Sequence, residues 1–431
     1  MFSRLLLLLL LTLPVAPAAA YSVLTHQAVI DSTWDQRLVP LLRQRYPGAD
    51  SVQLAEAKSY AYGGAIIQDM GYYPLGVEFF TDLTHYVRSG DFVRNLLRQA
   101  RTRNEYAFAL GALSHYAADN VGHPEGTNQI MPTVYEDLRA NYGPVVTYEN
   151  APIRHTELEF SFDVVQVAAG RYRTQDYHKA VGFRVSKDVL ERAFQQTYGL
   201  ELRQVFPNVD VSVASFRFAV NQLLPAAARA AWHSQRKEIR RVSPRARRRE
   251  YLYKTNRRKF EREFGTEYKK PGFGARVVAK LINLLPKIGP LQTYAFELPS
   301  PAGEQKFRQS YRAVLRAYST LTAELPRDTA ALDPHLLNTN LDTGQPMRPT
   351  IYHLADATYG ELLRELHKHH FEHLSPSLRS ELLTYFVQGV PTLAQQTDQL
   401  GGHDADEDQR EYQKERKETE EALAALRALA P

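Results

Sequence analysis

Three residues of this chain could do chemistry together: His115, Asp119 and His123, four apart in Leu113-Ser-His-Tyr-Ala-Ala-Asp-Asn-Val-Gly-His-Pro124. Residues i and i+4 share a face of an α-helix, so the stretch predicts two imidazoles and a carboxylate on one stripe. Imidazole nitrogen and carboxylate oxygen are ligands for zinc and similar divalent ions. A half-buried helix with a few hydrogen-bonded polar residues would read the same way, so the rest of the chain must supply further ligands. Before residue 160 it offers His26, Asp69, His85, His155 and Glu159. His155-Thr-Glu-Leu-Glu159 repeats the i, i+4 arrangement on a second predicted helix, with Glu157 as the competing carboxylate. The chain has no cysteine. Disulfides, thiolate metal sites and a cysteine nucleophile are therefore excluded, and any metal must be held by nitrogen and oxygen.

The N-terminus adds a possible ligand. Met1-Phe-Ser-Arg4, a leucine run from Leu5 to Leu13 and the small residues up to Ala20 form the pattern of a secretory signal peptide, residues 1–20. The apolar run is too short to span a bilayer. Cleavage after Ala20 would expose Tyr21, whose α-amine, with a pKa of about 7.7–8.0, binds metal once deprotonated. The expectation is an exported protein, periplasmic or extracellular. The remaining composition, 44% hydrophobic and 23% charged over 431 residues, suits a globular chain with a sizeable core. A net charge of +5 does not by itself imply nucleic acid.

The elements that must position these residues read as helices. Apolar spacing predicts helices over Tyr21–Gly48, Val52–Ile67, Val77–Arg98 with a break at Ser89-Gly-Asp91, Asn104–Asn120 and Pro152–Ala169. Asn128–Asn150, with Pro132 and Pro144, reads as an excursion. Period-two alternation is confined to Pro144–Tyr148 and Val209–Val213. Further helices are expected over Val185–Tyr198, Val211–Ile239, Gly303–Leu325 and Tyr359–His373, so the fold class is all-α.

With those residues in place the chain resembles the zinc-dependent phospholipase C family, whose fold is shared with secreted single-strand nucleases. The resemblance rests on Tyr21-x4-His26, Gly-Ala-Ile-Ile-Gln-Asp69, His85, His-Tyr-Ala-Ala-Asp119 and His155-x3-Glu159, within about residues 21–165. It implies up to three zinc ions in an all-α catalytic domain, residues 21–170. Asp69, His85, His115 and Asp119 would hold one ion. His123, His155 and Glu159 would hold a second. The Tyr21 amine and carbonyl, with His26 and a bridging Asp119, would hold a third. Asp69 would also serve as general base in phosphodiester hydrolysis. Two features depart from the family: Tyr stands where the N-terminal Trp is usual, and three residues rather than five separate Asp119 from His123. The short interval is more like the zinc domain of glycosylphosphatidylinositol-specific phospholipase D.

The expected function is an exported zinc-dependent phosphodiesterase acting on phospholipid. A nuclease on the same scaffold and a non-catalytic, zinc-stabilised envelope protein are the other readings. Residues 171–400 read as a helical extension and 401–431 as a charged helical tail, neither with a legible motif. Residues 236–270 hold fifteen Lys and Arg against five Glu, which suits contact with an anionic membrane surface and, less well, nucleic acid. Two further clusters are read as surface and scaffold: His369 with His373 as solvated, and Leu337–Gly344 as an ordered loop that lacks the terminal Glu of a calcium loop. Oligomeric state leaves no mark in the sequence.

Overall fold

A computed structural model describes residues 22–168, 172, 183–220, 237, 239–240, 297–325, 336–387 and 405–429. Tyr21, the expected signal peptide 1–20 and nearly all of the basic stretch 236–270 lie outside the described residues. The expected all-α class holds: helices carry the described chain, with one isolated bridge between Thr339 and Pro346. In chain order they are α1 Val23–Thr33, α2 Val39–Arg45, α3 Ser51–Gly64, α4 Glu78–Tyr86, α5 Ser89–Gln99, α6 Arg103–Gly122, α7 Asn128–Val134, α8 Glu136–Tyr142, α9 Pro152–Ala168, α10 Lys187–Tyr198, α11 Leu202–Val205, α12 Val209–Phe218, α13 Pro301–Ala323, α14 His353–Lys368, α15 Pro376–Tyr385 and α16 Ala405–Ala428. None of the described helices is long and apolar enough to cross a membrane.

Helix α6 is the axis of the molecule. It starts at a capping box: the Thr102 hydroxyl accepts from Glu105 N at 3.2 Å, and the Glu105 carboxylate accepts from Thr102 N at 3.2 Å. Every residue from Glu105 to Asp119 is buried, which is why the segment is apolar on all sides rather than amphipathic. Helix α3 runs against it at backbone distance. A Cβ on Gly64 would stand 1.9 Å from the Phe108 carbonyl oxygen, and one on Gly111 would stand 2.1 Å from that of Ala61. On another side the Tyr318 hydroxyl of α13 donates to Leu110 O at 2.9 Å. One buried apolar cluster runs from Val23 to Leu426 and takes in side chains of α10 and α13 to α16. A smaller one joins α7, α8 and α9 to Phe307 of α13, whose ring stacks on Phe162 with centroids 4.2 Å apart.

Three details differ from expectation. The segment 21–48 is two helices joined by a wide turn at Trp34–Leu38. The break between α4 and α5 comes at extended Val87 and left-handed Arg88, just before the predicted Ser89. The excursion 128–150 contains α7 and α8. Pro132 sits inside α7 at no cost in hydrogen bonds, because the carbonyl its missing N–H would have served, Asn128 O, accepts instead from Val146 N at 2.9 Å. Neither alternating stretch is a strand: Val209–Val213 opens α12, and Pro144–Tyr148 is irregular chain.

Candidate metal centre

The described sequence-predicted ligands converge. His26 comes from α1, Asp69 from the 3-10 turn Gln68–Tyr72, His85 from α4, His115 and Asp119 from α6, His123 from the wide turn His123–Thr127, and His155 and Glu159 from α9. All are at most 3% exposed. Their ligand atoms form three groups, each within 4.8 Å, the first two sharing His115: His26, Asp69 and His115; His85, His115 and Asp119; and His123, His155 and Glu159. Tyr21, the remaining expected ligand, is outside the described residues.

Asp119 lies between the groups. Its Oδ2 faces His115 Nε2 at 3.0 Å and His85 Nε2 at 3.4 Å. Its Oδ1 faces His26 Nε2 at 3.4 Å and His123 Nε2 at 3.8 Å. The His26 ring stacks on His115 with centroids 4.4 Å apart. Asp69 Oδ1 is 3.4 Å from His85 Nε2 and 3.8 Å from His115 Nε2. Glu159 Oε1 closes the third group, 2.9 Å from His155 Nε2 and 3.3 Å from His123 Nε2.

The backbone sets which ring nitrogen faces inward. His85 Nδ1 is 2.8 Å from Thr81 O, and His115 Nδ1 is 3.0 Å from Ala65 O. A carbonyl only accepts, so both Nδ1 atoms carry the proton and both Nε2 atoms present lone pairs. Those two Nε2 atoms stand 3.2 Å apart. The close approach of α3 to α6 is what brings Ala65 O to His115.

This donor set fits divalent metal. Lone pairs and carboxylate oxygens face one another in a water-poor interior, and the oxygens of Asp69, Asp119 and Glu159 accept no hydrogen bond. Such a cluster of acceptors needs positive charge at its centre. The carboxylates draw positive charge to this place, as a proton on Nε2 or as a metal ion in the proton's stead. Burial opposes a charge on His85, yet Asp119 and Asp69 outweigh it and push its pKa up to about 10. Burial would raise Asp119, but His115, His123 and His26 hold it well below the usual carboxylate range. At Asp69 burial prevails over the pull of His115 and His85, and the carboxyl is raised.

One neighbour of the cluster escaped sequence reading. Asp342, in the loop expected to be only scaffold, is buried, and its Oδ1 lies 3.3 Å from His123 Nδ1. Its signal was weak: an acidic residue in a polar, turn-rich stretch far from the other ligands, with no periodicity to attach it to them. The other histidine pair, expected to be solvated, lies apart from this cluster and is partly covered. His369 and His373 are about one-third exposed, paired with Glu365 at 3.7 Å and Glu201 at 3.6 Å.

Residues 25–208 match the family described as zinc dependent phospholipase C. No curated protein and no solved structure matches the chain.

Proposed function

We infer that this chain, a member of the zinc-dependent phospholipase C family through residues 25–208, is an exported phosphodiesterase that hydrolyses phospholipid. The observation that carries the reading is the divided Asp119 carboxylate, one oxygen toward His85 and His115 and the other toward His26 and His123. That arrangement suits a carboxylate bridging two ions.

In this reading His26, Asp69, His85, His115, Asp119, His123, His155 and Glu159 hold up to three zinc ions, with the amine and carbonyl of Tyr21 completing the set after cleavage at Ala20. Clustered divalent charge supplies neutralisation of the phosphate and acidification of a nucleophilic water. The residues do the rest. Thr81 O and Ala65 O fix His85 and His115 with Nε2 inward. Asp69 directs Oδ1 at those rings, and its Oδ2, which accepts no hydrogen bond, is the atom that takes the proton from the attacking water. The basic stretch 236–270 gives the protein an anionic membrane surface to work on.

The test is side-by-side hydrolysis of phosphatidylcholine vesicles, phosphatidylinositol vesicles and single-stranded DNA by the processed protein, zinc-loaded and chelator-treated. Zinc-dependent release of phosphomonoester or diacylglycerol from lipid is expected. Cleavage of DNA alone would overturn the lipid assignment. No cleavage at all, with a melting temperature still raised by zinc, would reduce the centre to a structural one.

A further inference from the structure

We propose that Asp342 is the positioning residue for His123, and that residues 336–352 are a working part of the metal centre although they lie far beyond the segment 25–208 that carries the family resemblance. The proposal rests on the reading of His123 as a ligand through Nε2, the nitrogen that faces Glu159 Oε1 and Asp119 Oδ1.

A metal-binding imidazole needs its other nitrogen protonated and held. For His85 and His115 the holder is a backbone carbonyl. The group opposite His123 Nδ1 is Asp342 Oδ1, at 3.3 Å. A carboxylate in that place fixes the tautomer, orients the ring and raises the basicity of Nε2.

Asp342 is itself held firmly. Its Oδ2 accepts from Tyr148 N at 2.8 Å and from the Tyr352 hydroxyl at 2.9 Å. Asn128 Nδ2 donates to its Oδ1 at 3.1 Å and to its carbonyl at 2.8 Å. Its oxygens are thus occupied, which suits an orienting carboxylate better than a further metal ligand. The loop around it is fastened to the same helix ends that bear the cluster. Leu341 N donates to His85 O at 3.1 Å, and the Thr339 hydroxyl donates to Asn120 Oδ1 at 3.0 Å. At the turn, Gly344 has a φ of +68° and lies so near Asn120 that a Cβ would stand 2.8 Å from its carbonyl oxygen. Only glycine meets both conditions without strain.

Asp342→Asn is the informative change. The asparagine oxygen can still serve Tyr148 N and Tyr352, which turns its NH2 toward His123 Nδ1. A donor there favours the tautomer with the proton on Nε2, the form that cannot bind metal through that atom. Zinc per chain, zinc affinity against a competing chelator, the absorption spectrum of the cobalt-substituted protein and the melting temperature of the apo-protein are measured on the full chain. Asp342→Asn is expected to weaken one ion by about 10- to 100-fold and to change the cobalt spectrum, with a modest fall in the apo melting temperature because the new NH2 also meets the Asn128 Nδ2 donor. Tyr352→Phe removes a tether and keeps the carboxylate. It should lower the melting temperature and retain every ion.

Wild-type stoichiometry and affinity in Asp342→Asn would overturn the proposal and leave the metal centre standing. A wild type that binds no ion would sink the metal centre and this inference with it. Should Asp342→Asn fail to fold, imidazole nitrogen NMR on the zinc-loaded wild type decides. A proton on His123 Nδ1 supports the proposal, and a proton on Nε2 refutes it.

Discussion

Gly111→Ala should damage metal binding without touching a ligand. The new methyl would lie 2.1 Å from Ala61 O and 2.8 Å from Ala65 N, both backbone atoms of the α3 end. Neither can swing aside as a side chain could, so α3 and α6 must part by about 1 Å to regain van der Waals contact. The same separation would stretch the 3.0 Å contact between Ala65 O and His115 Nδ1 to about 4 Å, past hydrogen-bonding range. Overpacking of this kind costs about 1–3 kcal/mol, and the lost hydrogen bond adds about 1 kcal/mol. Loss of the group that fixes His115 should weaken zinc by about 10- to 100-fold. The assay pairs thermal unfolding of the apo-protein with a zinc titration against a chelator of known affinity. A lower melting temperature with wild-type zinc affinity would show that Ala65 O does not govern His115. An unchanged melting temperature would show that the helices do not meet at Gly111 as closely as described.

Other perturbations separate the parts of the cluster. Asp119→Asn removes the charge shared by the groups around His85 and His26 and should lower zinc content by more than one ion per chain by elemental analysis. His155→Ala should lower it by about one ion, since His155 belongs to a single group; equal losses in the two variants would refute the bridging role of Asp119. Burial pushes Asp163 up to about 7, against the pull of its donors Ser22, Thr25 and Leu24 N. The folded state then keeps a proton that the unfolded chain releases near pH 4, so this residue's contribution is full below about pH 4 and is lost as pH rises through about 7. Asp163→Asn, neutral throughout, should show by denaturant unfolding a stability relative to wild type that improves by up to about 4 kcal/mol across that range; a constant difference would refute the shift.

What was legible in the sequence was whatever local periodicity carries. His115 with Asp119 and His155 with Glu159 could be paired because helical spacing puts i and i+4 on one face, and the structure brings both pairs to one place. Long-range closure was not legible. Nothing in Leu337–Gly344 marks Asp342 as a neighbour of His123, because loops approach sites through hydrogen bonds that leave no period behind. The short helices of 128–142 were hidden for a related reason. Pro132 is a breaker by local rules, and only the distant donor Val146 N makes it harmless.

The interval between Asp119 and His123, where the sequence departs from the pattern it otherwise resembles, has a physical account. Along a regular helix, steps of four residues advance the side chain by about 40° each, so His115 and His123 diverge to either side of Asp119 by about 80° in total. That sweep lets the two imidazoles face opposite oxygens of one carboxylate, at 3.0 Å and 3.8 Å. A longer interval would have to bring the second histidine back by a loop. Here Pro124 supplies no N–H to the helical ladder, and the chain takes a wide turn closed by Asn128 N on His123 O. The turn begins at His123, so His123 continues the α6 stripe toward Glu159 while the chain beyond it is released toward α7. Asn128, at the far end of the same turn, is the residue that grips Asp342. The shortened interval and the recruited loop are therefore one structural solution: the wide turn that presents His123 also presents the amide that holds its orienting carboxylate.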